Sequence, residues 1–136
     1  MINSTNPYNQ KIIASYSTDD KSKIKDVIKA ANIAFKDWRQ TKIQERAHKM
    51  HSVAKLLLKN KKAYAELITR EMGKPISQSK SEIEKCAKVC EYYAEHAAKF
   101  LKAKTIITEA SKSFITYQPL GVISVSYTHL TLPTKA

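Results

Sequence analysis

The sequence predicts an α/β chain: a short N-terminal strand arm, about four amphipathic helices, an antiparallel strand pair and the opening strand of a further sheet. Three observations predict it. Apolar residues recur at the helical period from Ile24 to Leu101. Helix stop signals divide that stretch, the strongest being Gly73-Lys74-Pro75. From Thr105 onward the helical period gives way to short runs rich in Ile, Thr, Phe and Tyr, residues that suit a pleated, half-buried surface. At 136 residues and 43% apolar, the chain lies in the range of one domain or part of one.

The elements follow in order. Asn6-Pro7-Tyr8-Asn9-Gln10 is rich in turn formers and leads into Lys11-Ile12-Ile13-Ala14-Ser15-Tyr16, read as a strand or extended hairpin arm. The polar cluster Ser17-Thr18-Asp19-Asp20 supplies capping side chains for a first helix, whose apolar face holds Ile24, Val27, Ile28, Ala31, Phe35 and Trp38. Thr41 with Gln44 has the spacing of a capping box, which places the start of a second helix there. Its stripe runs Ile43, Ala47, Met50, Val53/Ala54 and Leu57 and fades at Asn60-Lys61-Lys62. A third helix presents Tyr64, Leu67, Ile68 and Met72. Gly73 is suited to the left-handed turn that ends a helix, and Pro75 resists continuing one. The fourth helix runs from about Ser77 to Leu101 with a face of Ile83, Cys86, Ala87, Cys90, Ala94, Ala97 and Leu101, whose small residues predict close packing. Thr105–Thr108 and Ser113–Tyr117 read as paired strands joined by Glu109-Ala110-Ser111-Lys112. Pro119-Leu120-Gly121 then opens a buried strand over Val122-Ile123-Ser124-Val125. No internal repeat or low-complexity segment is present.

The net charge of +12 raises the question of an anionic partner. Nearly all of it is lysine, however, and only Arg39, Arg46 and Arg70 offer the planar fork that clamps phosphates and reads guanine edges. The lysines are scattered, and the densest group, Lys55, Lys59, Lys61 and Lys62, reads as the solvated side of a helix. A basic helical module for RNA or an acidic partner therefore stands as the alternative function, and neither a nucleic-acid nor a membrane partner is expected. No apolar run approaches the ~20 residues of a spanning helix, and Met1–Thr5 lacks the features of a signal peptide. Cys86 and Cys90 lie one helical turn apart, where a mutual disulfide would fight helix geometry. Reduced thiols and a soluble, cytoplasmic protein are the expectation.

Candidate sites are few. Glu45-x-x-His48 has the spacing of a di-iron helix motif, but a second copy is absent. His48 and His51 with Cys86 and Cys90 offer four zinc donors from two helices, against the reading of both cysteines as small core hydrophobes. A nucleophilic cysteine needs exposure and a neighbouring base, which a helix core denies. The Tyr92-Tyr93 pair and Trp38 read as packing residues. The chain holds two glycines, Gly73 and Gly121, too few for a phosphate-cradling loop. The sequence thus predicts no catalytic, cofactor-binding or metal-ligating residue.

Five motifs, in order, carry a resemblance: Asn6-Pro7 before a short strand, Ala34-Phe35-x-x-Trp38-Arg39, Glu45-Arg46, Glu71-Met72-Gly73-Lys74-Pro75, and Pro119-Leu120-Gly121-Val122-Ile123. Together they resemble the N-terminal part of the aldehyde dehydrogenase superfamily over about residues 3–123. Ile68–Gln78 followed by Glu82–Cys86 resembles its succinate-semialdehyde dehydrogenase branch. The resemblance implies a homo-oligomeric enzyme that oxidises a small aldehyde to a carboxylic acid with NAD or NADP. It implies a cofactor domain, to which the strand at 122–125 would belong as the first strand of a truncated unit, a catalytic domain and an oligomerisation arm. In that family a cysteine thiolate attacks the aldehyde, an asparagine and a backbone amide hold the oxyanion, and a glutamate activates water. None of these groups has a counterpart among the matched residues, so the chain alone is expected to bind no cofactor and to be inactive.

After Val122-Ile123 the family continues into a Pro-Trp-Asn-Phe-Pro segment, whereas this chain reads Ser124-Val125-Ser126-Tyr127-Thr128-His129-Leu130 and on to Ala136. Residues 1–123 are therefore read as an incomplete aldehyde dehydrogenase domain. Residues 124–136 are read as a tail foreign to it, similar to a peptide translated from sequencing-adapter DNA; a genuine short tail is the alternative.

Overall fold

A computed structural model describes residues 1–124. It contains two small antiparallel strand pairs and four helices: β1 (Ile2–Thr5), β2 (Ile12–Tyr16), α1 (Lys21–Trp38), α2 (Ile43–Lys59), α3 (Lys61–Met72), α4 (Ile76–Phe100), β3 (Lys104–Thr105) and β4 (Phe114–Ile115). β1 pairs with β2 and β3 with β4.

The N-terminal hairpin places Ile2 opposite Tyr16 and Ser4 opposite Ala14, with a bulge between Ser4 and Thr5. Its turn is closed by side chains as well as backbone. The Asn6 carboxamide oxygen accepts from the Tyr8 amide at 2.9 Å, and the Gln10 amide donates to the Asn6 carbonyl at 2.8 Å. Asparagine makes this local bond because its acceptor sits where a backbone carbonyl would stand in a turn. The sequence predicts only the second strand of this pair; β1 forms by pairing with it.

Asp20 caps α1 by accepting from the Lys23 amide at 2.7 Å. The expected capping box at the next helix does not form. The Thr41 hydroxyl instead donates back to the Trp38 carbonyl at 2.7 Å, closing the turn after α1, and Lys42 stands at the N-cap of α2 without a side-chain cap. Asn60 serves both the end of α2 and the start of α3, its side-chain amide donating to the Leu56 carbonyl at 3.0 Å. Gly73 takes the left-handed conformation at φ 69°, as the stop signal predicts, and α4 begins directly after Pro75.

The core lies between α2, α3 and α4. Ala54, Ala65, Ser79, Ile83, Ala87 and Ala94 are its buried residues, so the helices meet through small side chains. α3 departs from its predicted stripe. Ala65 is the buried residue, while Tyr64, Leu67 and Met72 are exposed. Cys86 and Cys90 are half-buried rather than fully enclosed. α1 makes no substantial contact with the other elements and buries none of its residues; Ile24, Val27 and Ile28 are 48%, 57% and 57% exposed.

The C-terminal hairpin is shorter than predicted. Lys104 pairs with Ile115 and Thr105 with Phe114, and a further backbone bond runs from the Ile106 amide to the Ser113 carbonyl at 2.9 Å. The strand expected from Val122 does not form over Val122–Ser124, and Val125 lies outside the described residues. A strand exists only where a neighbour accepts its ladder, and no described residue pairs with this segment. The chain exposes 11908 Å², against roughly 7200 Å² for a closed monomer of this size.

Candidate functional site

Four of the five sequence motifs converge in pairs, and the first pair builds the turn between α3 and α4. A side chain at Gly73 would place its Cβ 3.1 Å from Cγ of Pro7, so the Asn6-Pro7 turn sits directly against Gly73. The Ser4 hydroxyl donates to Oε1 of Glu71 at 2.6 Å, fixing the N-terminal hairpin to the end of α3. Lys74 pairs with Glu82 on α4. Beneath this turn the fully buried Ser79 hydroxyl lies 3.1 Å from the Thr69 hydroxyl and 3.3 Å from the Pro75 carbonyl. These side-chain contacts tie the N-terminal hairpin, the end of α3 and the start of α4 into one junction.

The second pair meets at the far end of α4. Ile43 and Arg46 from the start of α2, Ala98 and Leu101 from the end of α4, and Tyr117 and Pro119 line one depression. Arg46 is half-buried and forms no ion pair among the described residues. The remaining motif forms the end of α1, where Ala31, Ala34, Phe35, Asp37, Trp38 and Thr41 line an open, mostly apolar depression. The Arg39 guanidinium carbon lies 5.5 Å from the centre of the Phe35 ring.

The candidates drawn from the sequence lie in separate places. Glu45 and His48 share an exposed depression on α2 with Gln44 and Lys49. No group of three or more His, Cys, Asp or Glu stands together among the described residues, so His48, His51, Cys86 and Cys90 do not converge. Burial pushes the Cys90 thiol up, aided by Cys86 and Glu91, opposite to what a nucleophile requires. Tyr92 and Tyr93 pack edge to face at 5.5 Å, and Tyr92 stacks on His96 at 4.3 Å, but both tyrosines are exposed. In the lysine group, Lys61 bonds Glu84 at 2.7 Å and holds its carboxyl below the usual range. Of the two glycines, Gly73 packs against Pro7, and Gly121 has no atom within 4 Å of an added Cβ.

Sequence reasoning missed Ser79 and the bond between Ser4 and Glu71. Ser79 carries a readable signal, because it precedes Ile83 and Ala87 by four and eight residues on the same helix face. The second contact spans 67 residues and has no such signal.

The aldehyde dehydrogenase family model matches residues 1–127. The chain belongs to the aldehyde dehydrogenase family. It is 42% identical over 100 residues to the NAD(P)+ succinate semialdehyde dehydrogenase Sad of Escherichia coli, a match covering 74% of this chain and 22% of that enzyme. The NADP+ succinate-semialdehyde dehydrogenase of Deinococcus radiodurans is 33% identical over 118 residues, covering 87% and 25%. Among solved structures, the succinic semialdehyde dehydrogenase of Streptococcus pyogenes, determined with NADP+, superposes with a TM-score of 0.79 at 27% identity, covering 84% and 25%. A betaine aldehyde dehydrogenase of Staphylococcus aureus, bound to NAD+, gives 0.79 at 28% identity, covering 87% and 24%. The chain thus spans about a quarter of the length of the aldehyde dehydrogenases it matches. The alternative of a basic RNA-binding module finds no support in these relatives. No helix among the described residues is long and apolar enough to cross a membrane.

Proposed function

We propose that this chain is the N-terminal scaffold of a cytoplasmic, homo-oligomeric, NAD(P)-dependent enzyme that oxidises succinate semialdehyde to the dicarboxylic acid. The supporting observation is the 42% identity to the succinate semialdehyde dehydrogenase of Escherichia coli, over a stretch that includes the Glu71–Pro75 junction. On this reading residues 1–123 hold their helices and hairpins as a supporting layer. Nucleophile, oxyanion donor, general base and dinucleotide loop belong to parts of the enzyme outside this segment. Cys90 has no role in aldehyde attack on this reading, since burial pushes its thiol up and so lowers the thiolate fraction.

The test is an assay of the complete gene product with NAD+ or NADP+ and a panel of aldehydes, following reduced nicotinamide by absorbance. Succinate semialdehyde should exceed betaine aldehyde and propanal in kcat/KM by about tenfold or more, because its carboxylate, which the other two lack, rewards a matching site. Preference for another aldehyde overturns the substrate assignment, and no nicotinamide reduction with any aldehyde overturns the enzyme reading. Aldehyde oxidation by the 136-residue chain alone would overturn the scaffold role.

A further inference from the structure

We propose that Cys86 and Cys90 form a two-thiol chelate for a soft, thiophilic metalloid centre, with trivalent organoarsenicals as the ligand class. The two residues lie four positions apart on α4, a spacing that brings side chains on one helix face to about 5–6 Å between Cβ atoms. That separation is too long for a disulfide, whose Cβ atoms lie roughly 3.5–4.5 Å apart, and suits a bridge with one atom inserted between the sulfurs. Both residues are half-buried at the edge of the seam formed by Ile83, Ala87 and Ala94, so a small reagent has access while α4 stays packed. The proximity of the thiols is also felt electrostatically, since Cys86 helps to push up the Cys90 thiol.

The donor set selects the ligand. Zinc sites are closed by four ligands, and no third His, Cys, Asp or Glu joins the pair among the described residues. Two thiolates without further donors favour soft centres that accept sulfur and little else. With an organoarsenic oxide, both S–H bonds and the arsenic–oxygen bond break and two As–S bonds form. The oxygen leaves as water carrying both thiol protons. Arsenic stays trivalent, so no oxidant or reductant takes part.

The experiment exposes the 136-residue chain to one equivalent of phenylarsine oxide and reads intact mass, followed by iodoacetamide labelling. The expected result is one phenylarsenic group per chain, both thiols protected from alkylation, retention in excess glutathione and release by dithiothreitol. Cys86→Ser and Cys90→Ser should each weaken retention by about 100-fold or more, the usual gain of a second tethered contact. The double variant Cys90→Ala/Glu91→Cys keeps two thiols but moves one off the shared face, and it should behave like the single-thiol variants. Its helix content, read by circular dichroism, reports whether α4 survives the change. Removal of the arsenical from the unmodified chain by glutathione, or equal retention by a helical Cys90→Ala/Glu91→Cys variant, overturns the chelate.

Discussion

α1 and α4 carry apolar faces of similar regularity, yet one is packed and the other is bare. α4 buries the small residues Ala87 and Ala94 together with Ile83 where it packs on α2 and α3. α1 presents Ile24, Val27, Ile28, Phe35 and Trp38, a larger apolar surface that no described element covers. Amphipathic periodicity therefore marks a face that prefers burial and says nothing of where its partner lies. Packing is decided by fit: small residues stabilise through close helix approach, whereas large ones contribute only once a matching surface arrives.

The largest effect should come from disturbing the packed side. Ala87→Leu adds three carbons where the helices already touch, and overpacking of this kind costs about 1–3 kcal/mol. Urea unfolding followed by circular dichroism should show a lower midpoint, and an unchanged midpoint would mean that the α2–α4 seam is looser than its buried alanines suggest. Gly73→Ala comes next. It puts a Cβ on a residue at φ 69° and presses it against Pro7, with a conformational cost of about 1–2 kcal/mol. The same melt should show this loss, together with faster amide exchange in the N-terminal hairpin. Ser79→Ala removes a buried hydroxyl bonded to Thr69 and to the Pro75 carbonyl and should cost about 1 kcal/mol in the same assay.

The packed side was largely legible because its signals are local. The 3.6-residue period placed α2 and α4, and Gly73 before Pro75 ended α3 where glycine was needed. What failed depended on distant partners. Thr41 and Gln44 have capping-box spacing, but the Thr41 hydroxyl found the Trp38 carbonyl one turn back. Ile2–Thr5 is too short and polar to announce a strand, and it becomes one by pairing with Ile12–Tyr16. Val122–Ser124 has the composition of a strand and lacks a neighbour. The motif order pointed to the family, while the meeting of Arg46 with Pro119 around one depression required coordinates.

A smaller effect separates the helices electrostatically. Lys61 holds the Glu84 carboxyl below its usual range, so the folded value lies beneath the unfolded one. The stabilisation is then present above the ordinary carboxylate value and is lost as pH falls through the depressed folded value. Glu84→Gln should lower the melting midpoint slightly at neutral pH, and the gap to the unmodified chain should close on acidification. Added salt should narrow it as well, because both side chains are partly exposed. A gap that persists at low pH would assign the effect to packing rather than charge.

The smallest effect, on the bare side, discriminates most. Val27→Ser and Ile28→Ser replace exposed apolar residues on a helix without substantial contact to the other elements, so each should change the stability of this chain by less than about 0.5 kcal/mol. If the chain is the scaffold of a longer enzyme, as proposed, and α1 lies beneath the rest of it, the same substitutions there should cost more, on the order of 1–3 kcal/mol each, because the apolar transfer term is then recovered. Thermal melts of both forms supply the comparison. Equal, negligible losses in the two would mean that α1 stays exposed in the assembled protein. A large loss in this chain alone would mean that α1 already has a partner, such as the matching face of a second copy, which sedimentation would reveal as a concentration-dependent dimer.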